Sequence, residues 1–162
     1  MIATRATDGA PDGGSPPGDP AAGASVLEAT IPSDVDAIEG LVEAVVARCA
    51  AHRYSRQLCA LNVPVALTEA LANAVLRGNR QAADKQVRMK AVVDSAQMVI
   101  DVQDEGEGFE LEQFATDDPT AEHRLHREDG RGLFLMRRLM DRVERFPAVP
   151  RGNVIRLTLR RR

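Results

Sequence analysis

The sequence lacks a charge excess of either sign: 21 Lys and Arg against 24 Asp and Glu leave a formal net charge of −3. A dedicated nucleic-acid binder presents a basic balance, so no direct nucleic-acid partner is expected. The locally basic tip, Arg160-Arg161-Arg162, reads as a solvated strand end. Cysteine is scarce. Cys49 and Cys59 stand ten apart with no C-x-x-C pattern, which fits reduced, structural thiols in a cytoplasmic protein. No run of about 18 apolar residues is apparent, so no membrane span is expected. The N-terminus also lacks the basic start and apolar stretch of a signal peptide. Residues 1–24 have almost no large apolar side chains and are rich in Gly, Pro, Ala and Asp. Such a segment buries too little surface to offset its ordering entropy, and a disordered tail is expected there.

What remains is enough for one domain with a real core, since the 162 residues are 44% hydrophobic. A strand is predicted over Val26 to Ile31. Ser33, with Asp36 three residues on, then caps a helix whose stripe is Val35, Ile38, Val42, Val45 and Cys49. That helix should run to about Tyr54, and Ser55-Arg56-Gln57 forms a polar link. A second helix is predicted from Asn62 to Asn79. Asn62 or Val63 suits its cap, Pro64 its first turn and Gly78 its end. Leu67, Leu71, Ala74, Val75 and Gly78 make its apolar stripe, flanked by Glu69, Asn73 and Arg77 at four-residue spacing. On this helix alone a solvated polar face is the simpler reading.

The period then changes. Val87, Met89, Ala91 and Val93, followed after a short polar turn by Met98, Ile100 and Val102, predict an antiparallel hairpin. Asp104 continues the even-numbered apolar series, which aims its carboxylate at the core, where it needs hydrogen-bond donors. Gly106 and Gly108 follow within Glu105-Gly-Glu-Gly-Phe109, where glycines allow close backbone approach to a ligand. Residues 110–129 form a long polar connection of the kind that serves as a lid. His123 and His126 within it are read as surface residues, not metal ligands. Gly130-Arg131-Gly132-Leu133 comes next and feeds a helix carrying Leu133, Met136, Met140 and Val143. A glycine-rich loop at a helix N-terminus presents backbone N–H groups and a positive dipole end to an anion, phosphate above all. The chain closes with a hairpin, Val143 to Val149 and Val154 to Leu159, turning at Pro150-Arg-Gly-Asn153.

This order of motifs resembles the GHKL (Bergerat-fold) ATP-binding superfamily, and more closely its bacterial branch of anti-sigma-factor serine/threonine kinases. The motifs are E-x-x-x-N on a helix, a hairpin ending in D-x-G-x-G-F, a long loop and G-x-G-L opening a helix. The resemblance covers roughly residues 26 to 160. It implies an α/β (α+β) two-layer sandwich, with helices on one face of a mixed, mostly antiparallel sheet. Residues 25–162 would form the ATP-binding kinase domain, with its lid at about 110–129. By resemblance, Glu69 is the general base and Asn73 holds the Mg²⁺ that bridges the phosphates of ATP. Asp104 takes the adenine amine, with Gly106 and Gly108 beside it, while Gly130, Arg131, Gly132 and Leu133 cradle phosphates. Two positions depart from the pattern. Arg77-Gly78 stands where His-Gly is common, and Gly152-Asn153 where Gly-Thr helps hold adenine. Arg77 could still face phosphate and Asn153 could still hydrogen-bond, so weakened rather than lost binding is expected.

The implied function is that of a cytoplasmic kinase that inhibits a sigma factor and phosphorylates an anti-anti-sigma protein, with a homodimer expected and no membrane partner. Two rivals remain open: a nucleotide-gated binding module without catalysis, and the catalytic module of a split histidine kinase. A complete sensor histidine kinase is not expected, because no phosphoacceptor-histidine helix precedes the domain.

Overall fold

The computed structural model describes residues 3–4, 23–107 and 128–162. Gly108 and residues 110–127 of the expected lid lie outside them. The strands are β1 (Ala3–Thr4), β2 (Ser25–Pro32), β3 (Gln86–Val93), β4 (Gln97–Gln103), β5 (Arg142–Pro147) and β6 (Asn153–Arg160). They form one sheet in the order β1-β2-β3-β4-β6-β5, and every described pairing is antiparallel. The expected two-layer α+β architecture is therefore present, with a sheet that is wholly antiparallel here rather than mixed. Within the tail expected to be unstructured, Ala3–Thr4 pairs with the outer edge of β2.

Alternation decides which face of the sheet meets the helices. Leu27, Ala29 and Ile31, then Val87, Met89, Ala91 and Val93, then Met98, Ile100 and Val102, then Ile155, Leu157 and Leu159 are all buried. Each fully buried aliphatic side chain contributes roughly 1.5–3 kcal/mol relative to an exposed one. The intervening residues carry charges of alternating sign across the strands. Lys90 pairs with Glu28 at 2.9 Å, and Arg156 makes a two-pronged contact with Asp101 at 2.7 Å while lying 5.3 Å from the centre of the Phe146 ring. Asp94 closes the β3–β4 turn by accepting from the N–H groups of Ala96 and Gln97.

Among the described residues, three helices cover the apolar face: α1 (Ile38–Ala51), α2 (Val63–Asn73) and α3 (Glu128–Leu139). A short 3-10 turn, Val35–Ala37, leads into α1, and the side chain of Asp34 caps it by accepting from the Asp36 N–H at 3.0 Å. The cap assigned to Ser33 is thus corrected. Its hydroxyl donates to the Lys85 carbonyl instead, at 2.9 Å. The stripe on α1 is buried as expected at Ile38, Val42, Val45 and Cys49, but Val35 is exposed.

The second helix starts earlier than its sequence signals suggest. π-Helical turns Leu58–Asn62 and Ala74–Gly78 continue α2 at both ends, so Asn62 has helical backbone angles and caps nothing of its own helix. Its side chain instead donates to the Leu139 carbonyl at the end of α3, at 2.7 Å. The merged span Leu58–Gly78, 21 residues containing an 18-residue window of mean hydropathy 1.5, is long and apolar enough to cross a membrane by length and composition. This corrects the expectation that no such stretch exists. Val63, Ala66, Leu67, Ala70 and Leu71 are fully buried within the fold, as in the core helix of a folded domain.

Asp141 ties α3 to the last strand. Its carboxylate accepts from the Arg160 N–H at 2.6 Å and pairs with the Arg162 guanidinium. Burial pushes its pKa up, but these donors outweigh that and hold it below the ordinary carboxylate value. A depressed folded pKa gives stability that is present above the unfolded value, about 4, and is lost as pH falls through the lower folded one. Denaturation midpoints compared at about pH 7 and about pH 3 are expected to show an acid-dependent loss that Asp141→Asn lacks, worth about 1 kcal/mol or less for a pair this near the surface.

Candidate functional site

Asp104 leaves the end of β4 pointing into the core side of the sheet, as its phase predicts, and only 6% of its surface is exposed. The chain supplies the donors that such a carboxylate needs. Oδ1 accepts from the Gly106 N–H at 2.9 Å and the Asn153 N–H at 3.2 Å, and the Asp104 N–H donates to the Asn153 carbonyl at 3.0 Å. It is therefore the backbone of Asn153 that reaches Asp104.

Glycines let these segments touch. The π-helical turn at the end of α2 brings Gly78 so close that a Cβ there would lie 2.5 Å from Asp104 Oδ2. A Cβ on Gly106 would strike the Gly78 carbonyl, and one on Gly152, whose φ is +105°, would strike the Asp104 carbonyl. The last of these is a conformation that disfavours any other residue. Beside this cluster opens a cavity of about 150 Å³ lined by Arg77, Gly78, Arg80, Lys85, Gly106, Glu107 and Asn153. Its wall carries three cations and one carboxylate.

Asn79, to which the sequence reading gave no role, locks the base of the cluster. It is fully buried. Its Oδ1 accepts from the Glu105 N–H at 2.7 Å, while its Nδ2 donates to Ser33 Oγ at 2.7 Å and to the Gln86 carbonyl at 2.8 Å. Glu105 returns the tie by accepting from the Gln86 N–H at 2.8 Å and pairing with Arg88 at 3.2 Å. Asn79→Ala leaves buried partners without hydrogen bonds and is expected to cost about 3 kcal/mol of unfolding free energy, measurable by urea denaturation. A loss below about 0.5 kcal/mol would show that the network is dispensable.

Arg145 was also missed. It shares the inward phase of Val143 on β5, and that alternation was the available signal. Burial pushes its pKa down, and the charge of Asp104 acts in the opposite direction.

The second half of the site lies where α3 crosses α2. Glu69 and Asn73, both half-buried, face the first turns of α3, and a Cβ on Gly132 would lie 2.6 Å from Glu69 Oε2 and 3.6 Å from Asn73 Nδ2. A side chain at position 132 would push the Glu69 carboxylate aside. Here the structure corrects the boundary: α3 begins at Glu128, so Gly130, Arg131, Gly132 and Leu133 lie in its first two turns rather than in a loop preceding it. Leu133 packs on the core with Met136 and Met140.

The sites expected from sequence are thus brought together in two groups: Asp104, Gly106 and Asn153 around one end of α2, and Glu69, Asn73 and Gly132 at its middle. Arg77 lies between them along the helix and lines the cavity. Residues 31–159 match the family described as the histidine kinase-like ATPase domain. The chain belongs to this family. No curated protein gives a significant match. A histidine kinase-like ATPase domain is an ATP-binding domain of kinase-like type.

Proposed function

We propose that this chain is a cytoplasmic, ATP- and Mg²⁺-dependent serine/threonine-protein kinase and anti-sigma factor. It would hold a sigma factor and phosphorylate an anti-anti-sigma protein, acting as a homodimer without nucleic-acid or membrane partners. The observation that carries this reading is the contact of Gly132 with Glu69 and Asn73, which puts a carboxylate and a carboxamide one helical turn apart at the start of α3.

Adenine would sit in the cavity beside Asp104. Oδ1 is engaged by two backbone donors, so Oδ2, beside Gly78, accepts from the exocyclic amine. Arg77 and the first N–H groups of α3 then take the phosphates. The hard oxygen of the Asn73 carboxamide, beside a carboxylate, fits Mg²⁺, which takes one or two protein ligands and shares the rest with phosphates and water. Once bound, the ion would neutralise charge on the phosphoryl group in transit. Glu69 takes the proton of the attacking Ser or Thr hydroxyl; its oxygen bonds to the γ-phosphorus as the bond to the bridging oxygen breaks, and ADP leaves.

The test is affinity capture from native lysate with ATP·Mg²⁺ and again with ADP·Mg²⁺, followed by mass spectrometry. A sigma factor retained in one state, with a small antagonist phosphorylated on Ser or Thr in the ATP sample, is the expected result. Stable partners without phosphate transfer would indicate a nucleotide-gated binding module, and acid-labile phosphohistidine a split histidine kinase.

A further inference from the structure

Away from the nucleotide site, the two cysteines meet where α1 packs against the start of the long helix. Cys49 lies in the last turn of α1 and Cys59 in the π-helical turn Leu58–Asn62, and their Sγ atoms are 2.8 Å apart. Both are free thiols. Cys49 is fully buried, while Cys59 is half-buried and donates to the Tyr54 carbonyl at 3.7 Å. The chain between them turns back on itself through Tyr54, whose hydroxyl donates to the Asp94 carbonyl at 3.1 Å. The fold thus holds the thiols together in the reduced state, and they need approach by less than about 1 Å to reach bonding distance.

We propose that Cys49 and Cys59 are a modification site: a dithiol that hydroperoxides convert to an intramolecular disulfide. Cys59 reacts first, because it has the access to solvent. Burial, reinforced by the neighbouring Cys59, pushes the Cys49 thiol up and keeps it protonated. The Cys59 sulfur attacks the peroxide, the O–O bond breaks, and Cys59 becomes a sulfenic acid as an alcohol (or water, from hydrogen peroxide) is released. The Cys49 sulfur then bonds to the Cys59 sulfur, the S–O bond breaks, and hydroxide leaves with the Cys49 proton as water. Two thiols have lost two electrons and the peroxide has gained them. Holding the resolving thiol in contact favours this route over further oxidation of Cys59. The disulfide joins α1 to α2 about 15 Å along the helix from Glu69, outside the proposed chemistry.

The test treats the native full chain with hydrogen peroxide, blocks remaining thiols with iodoacetamide and maps peptides without reduction. Expected are the loss of two hydrogens in mass, no alkylation of either cysteine and one cross-link between Cys49 and Cys59 in a single chain. Dithiothreitol should reverse all of this, and the oxidised form should melt about 5 °C or more higher. Cys49→Ser should leave Cys59 as a sulfenic acid that dimedone traps. Should that variant not fold, Cys59→Ser provides the second reading, with Cys49 resisting peroxide. An unreactive pair, a disulfide between two chains, or Cys59 driven to sulfinic acid while Cys49 remains alkylatable would each overturn the proposal.

Discussion

Glu69→Ala is expected to lower phosphotransfer by about 10²–10⁴-fold, the usual worth of a positioned general base, while ATP affinity stays within about threefold. The separation of the two effects follows from where Glu69 sits. Its carboxylate lies over Gly132 at the middle of α2, whereas the cavity and its donors gather at the end of the helix around Gly78 and Asp104. Removing the carboxylate opens space beside Gly132 without touching the wall that would face the base. Single-turnover transfer to the captured antagonist, with nucleotide binding measured by calorimetry, reads both quantities. Full transfer by the variant would remove Glu69 from the role of base. Loss of nucleotide binding in parallel would show instead that it shapes the pocket.

The second large effect concerns recognition of the base. Asp104→Asn should weaken adenine nucleotide binding about 10–100-fold, the equivalent of roughly 1.5–3 kcal/mol for a hydrogen bond to a charged group. An Asn carbonyl oxygen can still accept from Gly106 and Asn153, as Oδ1 of the aspartate does at 2.9 and 3.2 Å. The amide nitrogen then takes the place of Oδ2 beside Gly78 and presents a donor to the exocyclic amine, itself a donor. Folding should therefore change little while affinity falls. Unchanged affinity would sink the assignment of Asp104 to adenine. Arg145 sharpens this test: with Asp104 neutral, its buried guanidinium loses the charge that opposes its desolvation, so part of any stability loss belongs to Arg145.

Much of this arrangement was legible in the chain. Two-residue alternation across Met98, Ile100 and Val102 carried straight into Asp104, because side-chain direction in a strand is fixed by pleat and register. The four-residue spacing of Glu69, Asn73 and Arg77 set them on one face of a helix for the same kind of reason. Helix starts were less legible. Ser33, Asn62 and the glycines before Leu133 each carry a respectable local signal for a boundary. In each case a partner distant in sequence took the side chain or the space: Lys85 for Ser33, Leu139 for Asn62, Glu69 for Gly132. Local capping energies are about 1 kcal/mol, which one tertiary hydrogen bond or one excluded Cβ matches.

The sequence by itself determined the face of each strand, the polar stripe on α2 and the order of motifs along the chain, since these depend on periods set by covalent geometry. Only the tertiary structure decided that Gly78, Asp104, Gly106 and Gly152 share one close-packed point, that Asn79 ties three segments together, and that Cys49 touches Cys59. Those contacts join residues up to 48 positions apart, as from Asp104 to Gly152. No local preference records a distance of that kind; it exists only once the antiparallel sheet and the three helices have packed.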